Sequence, residues 1–200
     1  MHKKIKNHFR KADPVLYGVL AKIGSLKPLT KSENYFADLC ETIINQQLSG
    51  KAGKTIFRRF QKLFSKDLIN PQELCKLSAE KIRKVGTSNS KVKYLKNLAE
   101  KIQSKEIDLD DLAGKDEFSV KNSLMKIKGI GPWTAEMFLM FSLARPDIFS
   151  LGDLGLRKAI QRLYKLTREP TKKEAEEISL KWSPYRTYAC RILWRSLEPV

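Results

Sequence analysis

Leu124-Met125-Lys126-Ile127-Lys128-Gly129-Ile130-Gly131-Pro132-Trp133-Thr134-Ala135 is the most specific stretch of the chain. Its residues spell a helix, a glycine-hinged turn and a second helix beginning near Pro132. The two glycines permit positive φ and close approach of a ligand to the backbone. The second helix then points free N–H groups and the positive end of its dipole outward, where a phosphate binds. Lys126 and Lys128 flank the turn and add charge. Such a clamp holds a nucleic-acid backbone without reading its sequence. An ordinary pair of helices joined by a glycine corner has the same outline. The apolar spacers Ile127 and Ile130, with Thr134-Ala135 after them, favour the clamp.

The rest of the composition points the same way. The chain has 200 residues, with 39 Lys and Arg against 22 Asp and Glu, a formal charge of +17. A charge of this size implies nucleic acid or another anionic surface as partner; a solvated lysine-rich coat is the plainer alternative. A hydrophobic content of 42% argues against a disordered basic tail. No apolar run reaches the ~18–20 residues a bilayer span needs, so no membrane partner is expected. The basic start, Met1 to Lys11, has no apolar stretch after it and does not read as a signal peptide. Cys40, Cys75 and Cys190 are scattered, with no CxxC pair, which implies a reducing compartment and excludes a four-cysteine zinc or iron–sulfur site in this chain. His2 and His8 are the two histidines, both near the start, so no histidine triad or cage is expected in the body of the protein.

Helical signals run through the chain. Asp13-Pro14 reads as an N-cap followed by proline, with Gly24 as the stop. Phe36, Leu39, Cys40, Ile43 and Ile44 fall at helical spacing, as do Ile56, Phe57, Phe60, Leu63 and Phe64. Asn70-Pro71 and Ser78 open short helices, the second ending near Gly86. Leu95, Leu98, Ala99 and Ile102 mark another face. Thr134 to Leu143 is apolar nearly all round, the signature of a buried central helix. Asp153 precedes Leu154, Ile160, Leu163 and Tyr164, and Tyr185, Tyr188, Ala189, Ile192 and Leu193 complete the set. With no period-two alternation, the expectation is an all-α chain of roughly nine or ten helices.

The stretch LMKIKGIGPWTAEMF resembles the helix-hairpin-helix motif of the base-excision DNA glycosylases. Three further segments continue the resemblance in order. ETIINQQLSGKAGKTIFRRF is similar to the family's helix and DNA-penetrating loop. SLGDLGLRKAI supplies Asp153 where the family places an essential Asp, about twenty residues past the hairpin. WSPYRTYACRILWR is similar to the closing segment of the alkylbase branch, the 3-methyladenine glycosylases. The resemblance spans residues 35–195. It implies two helical lobes flanking a cleft, in a single domain over residues 1–200, with the helical segment 1–34 packed on one lobe.

Single residues select the branch. Bifunctional relatives carry a nucleophilic Lys two residues after the second hairpin glycine. Here Trp133 stands there, and an indole forms no Schiff base. The C-terminal Cys cluster of the iron–sulfur relatives is missing, so no cluster is expected. The match is to the compact alkylbase subfamily, and the implied activity is monofunctional hydrolysis of the N-glycosidic bond of alkylated purines.

The resemblance also distributes roles. Asp153 is the implied catalytic carboxylate, although Asp before an apolar helical run is also a common N-cap. The transition state for base release has oxocarbenium character, which a fixed carboxylate stabilises. The base must leave the stack to be reached. A cationic alkylated base favours an aromatic face, and Trp133, Trp194, Phe36 and Met137 are the implied pocket; Trp182 and Tyr185 read as packing residues. Gln47, with Leu48 and Ser49, is the implied wedge filling the gap in the duplex. Lys126, Lys128, Gly129, Gly131, Thr134 and Arg157 are the implied contacts to the DNA backbone, with Lys158, Arg186 and Lys91 as weaker candidates among many surface charges. Carbonyls of Met125, Ile127 and Ile130 are where the family's hairpin holds a monovalent cation, Na+ or K+; no other cofactor is implied. The expected partner is double-stranded DNA, bound by a monomer, in the cytoplasm of a bacterium or the nucleus of a eukaryote. Two other readings share the hairpin and the charge: a non-enzymatic DNA-binding module, and a sister glycosylase for uracil, mismatched or oxidised bases.

Overall fold

Helix starts in this chain are written by short polar side chains. In the computed structural model, which describes residues 2–48 and 50–198, nine helices open on an Asp, Asn, Ser or Thr whose side chain accepts a hydrogen bond from a first-turn N–H. Each such cap satisfies a donor that the helix itself leaves unpaired. The Asp13, Asn70, Ser78 and Asp153 caps fall where the sequence puts them.

The described residues contain α-helices and no strand. The chain divides into two compact units, one discontinuous (Met1–Lys31 with Leu139–Val200) and one continuous (Ser32–Phe138). The discontinuous unit holds α1 (His2–Ala12), α2 (Pro14–Ile23), α11 (Leu154–Leu163), α12 (Lys172–Leu180) and α13 (Arg186–Arg195). Within it α2 packs on α1 and α13, and α13 packs on α11. Its core holds Phe9, Leu16, Leu20, Ile160 and Trp182. The continuous unit holds α3 (Tyr35–Asn45), α4 (Gly50–Gln61), α5 (Pro71–Lys76), α6 (Ala79–Lys84), α7 (Asn89–Gln103), α8 (Leu109–Ala113), α9 (Glu117–Leu124) and α10 (Pro132–Met137). Here α7 packs on α5, α6 and α3, while α3 also meets α4, α8 and α10.

The described residues thus form thirteen α-helices rather than nine or ten. The additional ones lack a long apolar stripe. α1 buries Ile5 and Phe9 among basic residues, and α12 turns the small Ala175 and Ser179 inward. α8 has five residues, too few to show a period. The apolar run after Thr134 is not one uniform helix. α10 gives way to a π-helical turn at Phe138–Ser142. Most of the run is buried as expected, but Phe141 is 44% exposed.

Two lysines of α7 go inward and cap other helices. Lys91 Nζ donates to the carbonyls of Ile44 and Gln46 at 2.8 and 2.7 Å, closing the C-terminal end of α3. Lys96 Nζ donates to Leu74, Cys75 and Leu77 at the end of α5. A cation at the negative end of a helix dipole is favourable. Part of the +17 charge is therefore structural.

Candidate functional site

In the continuous unit, the hairpin joins α9 to α10 through residues 125–131. Gly129 has φ +86, a conformation L side chains rarely adopt. A Cβ there would lie 2.2 Å from the Tyr94 ring, so backbone and packing both demand glycine. Gly131 differs from expectation: its φ is −98, and a Cβ there meets nothing within 4 Å. It needs no special torsion. Its contribution is an N-cap without a side chain, so no cap hydrogen bond covers the first turn of α10. Lys126 and Lys128 are exposed on either side of buried Ile127.

The hairpin is braced by residues the sequence did not single out. Gln46 Nε2 donates to the Gly129 carbonyl at 2.9 Å and to Thr134 Oγ1 at 3.1 Å. Asn97 Oδ1 accepts from the Lys128 N–H at 2.9 Å. Thr134, expected on the DNA backbone, is 3% exposed, with its hydroxyl turned to Gln46. Its hydroxyl oxygen thus braces the hairpin from within the unit. Ile127, one of the three implied cation ligands, also accepts from the Ile130 N–H at 3.1 Å. A carbonyl has two lone pairs, so this bond leaves room for an ion.

Gln46 is also the C-cap of α3, and the implied wedge follows it directly. Gln47 is exposed with φ +56, an uncommon conformation for a side-chain-bearing residue. Leu48 is 39% exposed, an apolar side chain at a turn. Ser49 lies outside the described residues. Lys91, weakly considered for phosphate, instead fixes the end of α3 beneath this turn. Burial lowers its pKa below the ordinary lysine value.

Of the implied pocket, the continuous unit places Met137 in its core and Trp133 half-buried in the first turn of α10. Phe36 is buried too, but it lines a cavity with Pro71, Ile102 and Ile107 that includes neither of them. Tyr35 of α3 lines the same cavity, and its ring centroid lies 5.6 Å from that of Phe138 at the end of α10.

In the discontinuous unit, Asp153 is the half-buried N-cap of α11. Its Oδ1 accepts from the Leu156 N–H at 2.8 Å and from Trp194 Nε1–H at 3.1 Å. Trp194 comes from α13, and its ring lies 6.1 Å from that of exposed Phe141. It also lines a cavity of about 450 Å³ with Ile23, Leu26, Lys27 and Arg191. Arg157 is not available in the expected way: its guanidinium pairs with Glu169 at 3.1 Å. Arg186 is likewise held by Asp147, at 2.9 Å from Nε to Oδ1. Lys158 is exposed. Trp182 is fully buried and Tyr185 packs against His8 and Tyr188, as packing residues should.

The sequence of residues 40–184 matches the model of the HhH-GPD superfamily base excision DNA repair proteins. This chain belongs to that superfamily. The Bacillus subtilis protein YfjP is 33% identical over 177 residues, which are 86% of this chain and 62% of YfjP, so the chain spans less than two thirds of that relative. A crystallised DNA-3-methyladenine glycosidase from Bacillus halodurans superposes with a TM-score of 0.81 at 36% identity, covering 96% of this chain and 88% of that one. The Schizosaccharomyces pombe 3-methyladenine DNA glycosylase Mag1, solved with abasic DNA, superposes with a TM-score of 0.90 at 30% identity, covering 96% of both chains. The HhH-GPD domain thus includes both the hairpin and Asp153.

Proposed function

We propose that this HhH-GPD protein is a monofunctional DNA glycosylase that hydrolyses the N-glycosidic bond of alkylated purines of the 3-methyladenine kind. Its similarity to glycosylases of that specificity supports the reading. The observation within the chain that carries it is the Asp153 carboxylate, fixed at a helix start by a main-chain and an indole N–H. A carboxylate that is already oriented stabilises a developing sugar cation without the cost of reorganising solvent. The same group is placed to accept a proton from the attacking water. An alkylated purine is cationic in the nucleotide and leaves readily, so no general acid is required. Trp133 in place of a lysine removes the amine that a covalent lyase route uses.

Double-stranded DNA is bound by the uncapped turn after Gly131, with Lys126 and Lys128 adding charge. Gln47 and Leu48 serve as the wedge, and their exposure on a turn supports that role. Trp133 and Trp194, each half-buried within its own unit, remain the aromatic candidates for the flipped base. A monovalent cation on the carbonyls of Met125, Ile127 and Ile130 would add positive charge to the hairpin. The protein acts as a monomer.

Duplexes carrying 3-methyladenine, 7-methylguanine, hypoxanthine, ethenoadenine, uracil or 8-oxoguanine, scored separately for free base and strand cleavage, test this function. Release of the methylated purines without strand cleavage is the expected result. Release of uracil or 8-oxoguanine alone would overturn the substrate, and binding without any release would leave a DNA-binding module.

A further inference from the structure

We infer that Trp194 is a positioning residue for the Asp153 carboxylate, and that Gly155 is the residue whose missing side chain leaves the carboxylate oxygen room to meet the indole. The inference rests on the reading of Asp153 as the catalytic carboxylate.

Gly155 is the second residue of α11, two beyond the Asp153 cap. Its position needs explaining, because glycine weakens a helix relative to alanine. Its φ is not in the left-handed region, so backbone torsion does not demand it. Space does. A Cβ at 155 would stand 3.0 Å from Asp153 Oδ1, closer than side chains ordinarily tolerate, and 3.5 and 3.6 Å from Trp194 Cδ1 and Nε1. It would therefore press on the oxygen that accepts the Trp194 Nε1–H bond, while meeting the indole itself at ordinary van der Waals distance. The bare edge of the helix leaves Asp153 Oδ1 uncrowded where the indole N–H meets it.

The bond has a directional consequence. The Leu156 N–H holds Oδ1 from the helix side, and the indole N–H holds the same atom from α13. Two donors converging on one oxygen restrict rotation of the carboxylate. A plain N-cap requires only the first of them. Trp194 then does more than supply an apolar wall, and a phenyl ring cannot replace it.

The test compares Trp194→Phe, Trp194→Leu and Gly155→Ala with the wild type in single-turnover excision from a methylated duplex, with DNA affinity measured separately. Trp194→Phe keeps a ring and loses the donor. Its excision rate should fall about tenfold or more, as loss of an orienting hydrogen bond does, with DNA affinity and Tm little changed. Gly155→Ala should lower the rate in the same way without lowering Tm, because alanine favours the helix. In the double variant the two losses should not add. The Trp194 Nε1–H NMR resonance should shift in both Gly155→Ala and Asp153→Asn.

A wild-type rate in Trp194→Phe with a loss in Trp194→Leu would make Trp194 a wall alone and overturn the inference. So would an indole resonance indifferent to both substitutions. Undiminished excision by Asp153→Asn would instead overturn the catalytic reading of Asp153, a separate outcome.

Discussion

Asp13 and Asp153 begin alike and end differently. Each caps a helix of the same unit, each accepts from the N–H three residues on, and each also accepts from a tryptophan indole. Asp13 is 2% exposed, and both of its oxygens are committed. Leu16 N–H serves one; Trp182 Nε1 at 2.7 Å, the Tyr164 hydroxyl and Lys181 Nζ at 3.0 Å serve the other. Burial pushes its carboxyl up, but the hydrogen bonds outweigh burial and hold it below the ordinary Asp value. Asp153 is half-buried, at a turn that ends in exposed Gly152. The lesson is that a capping Asp with an indole partner does not by itself tell a structural acid from a functional one; burial separates the two. Near-complete burial makes Asp13 a structural strut; the partial exposure of Asp153 is what the proposed catalytic role requires.

The largest effects should separate the pair cleanly. Asp153→Asn keeps a good cap, so Tm should hold while base release falls by about 10³-fold or more; single-turnover excision and thermal melting measure both sides. Asp13→Ala should do the reverse, destabilising the fold by about 2–3 kcal/mol in urea unfolding by leaving buried donors unpaired. Excision by that variant should remain normal wherever it is folded. Acid sharpens the contrast. Because the folded-state pKa of Asp13 is depressed, its contribution is complete above about pH 4 and lost as pH falls through the lower folded value. Acid unfolding of the wild type should show that loss, and Asp13→Ala should not.

Smaller effects belong to the continuous unit, where the helix start after Gly131 has no side-chain cap at all. Gly129→Ala forces a Cβ into Tyr94 at positive φ and should cost about 2 kcal/mol or more, with weaker DNA binding. Gln46→Ala should cost about 1 kcal/mol and loosen DNA affinity without lowering the saturated excision rate. Lys126→Gln and Lys128→Gln should each reduce the slope of log affinity against log salt by about 0.9. If either instead abolishes excision at saturation, the hairpin does more than grip.

Much of this was legible without coordinates. Caps at Asp13, Asn70, Ser78 and Asp153, the glycine turn at 129 and the order of the family's segments are local signals, written within a few residues of where they act. Helices without an apolar stripe were not legible, since α1 and α12 bury too few large residues to show a period. Nor were the inward roles of Lys91, Arg157 and Thr134, because a lysine, an arginine or a threonine reads the same whether it meets a phosphate or a partner within the protein.

The amino-acid order by itself determined that the chain is helical, where its principal turns fall, and which acid and which glycine corner to suspect. Tertiary structure alone decided that Trp194 meets Asp153, that Trp182 meets Asp13, and that Gln46 holds the hairpin. Those partners stand 41, 169 and 83 residues apart. Caps and turns are set by torsions and bonds within one helical turn, whereas such pairings exist only once packing has brought distant segments into register.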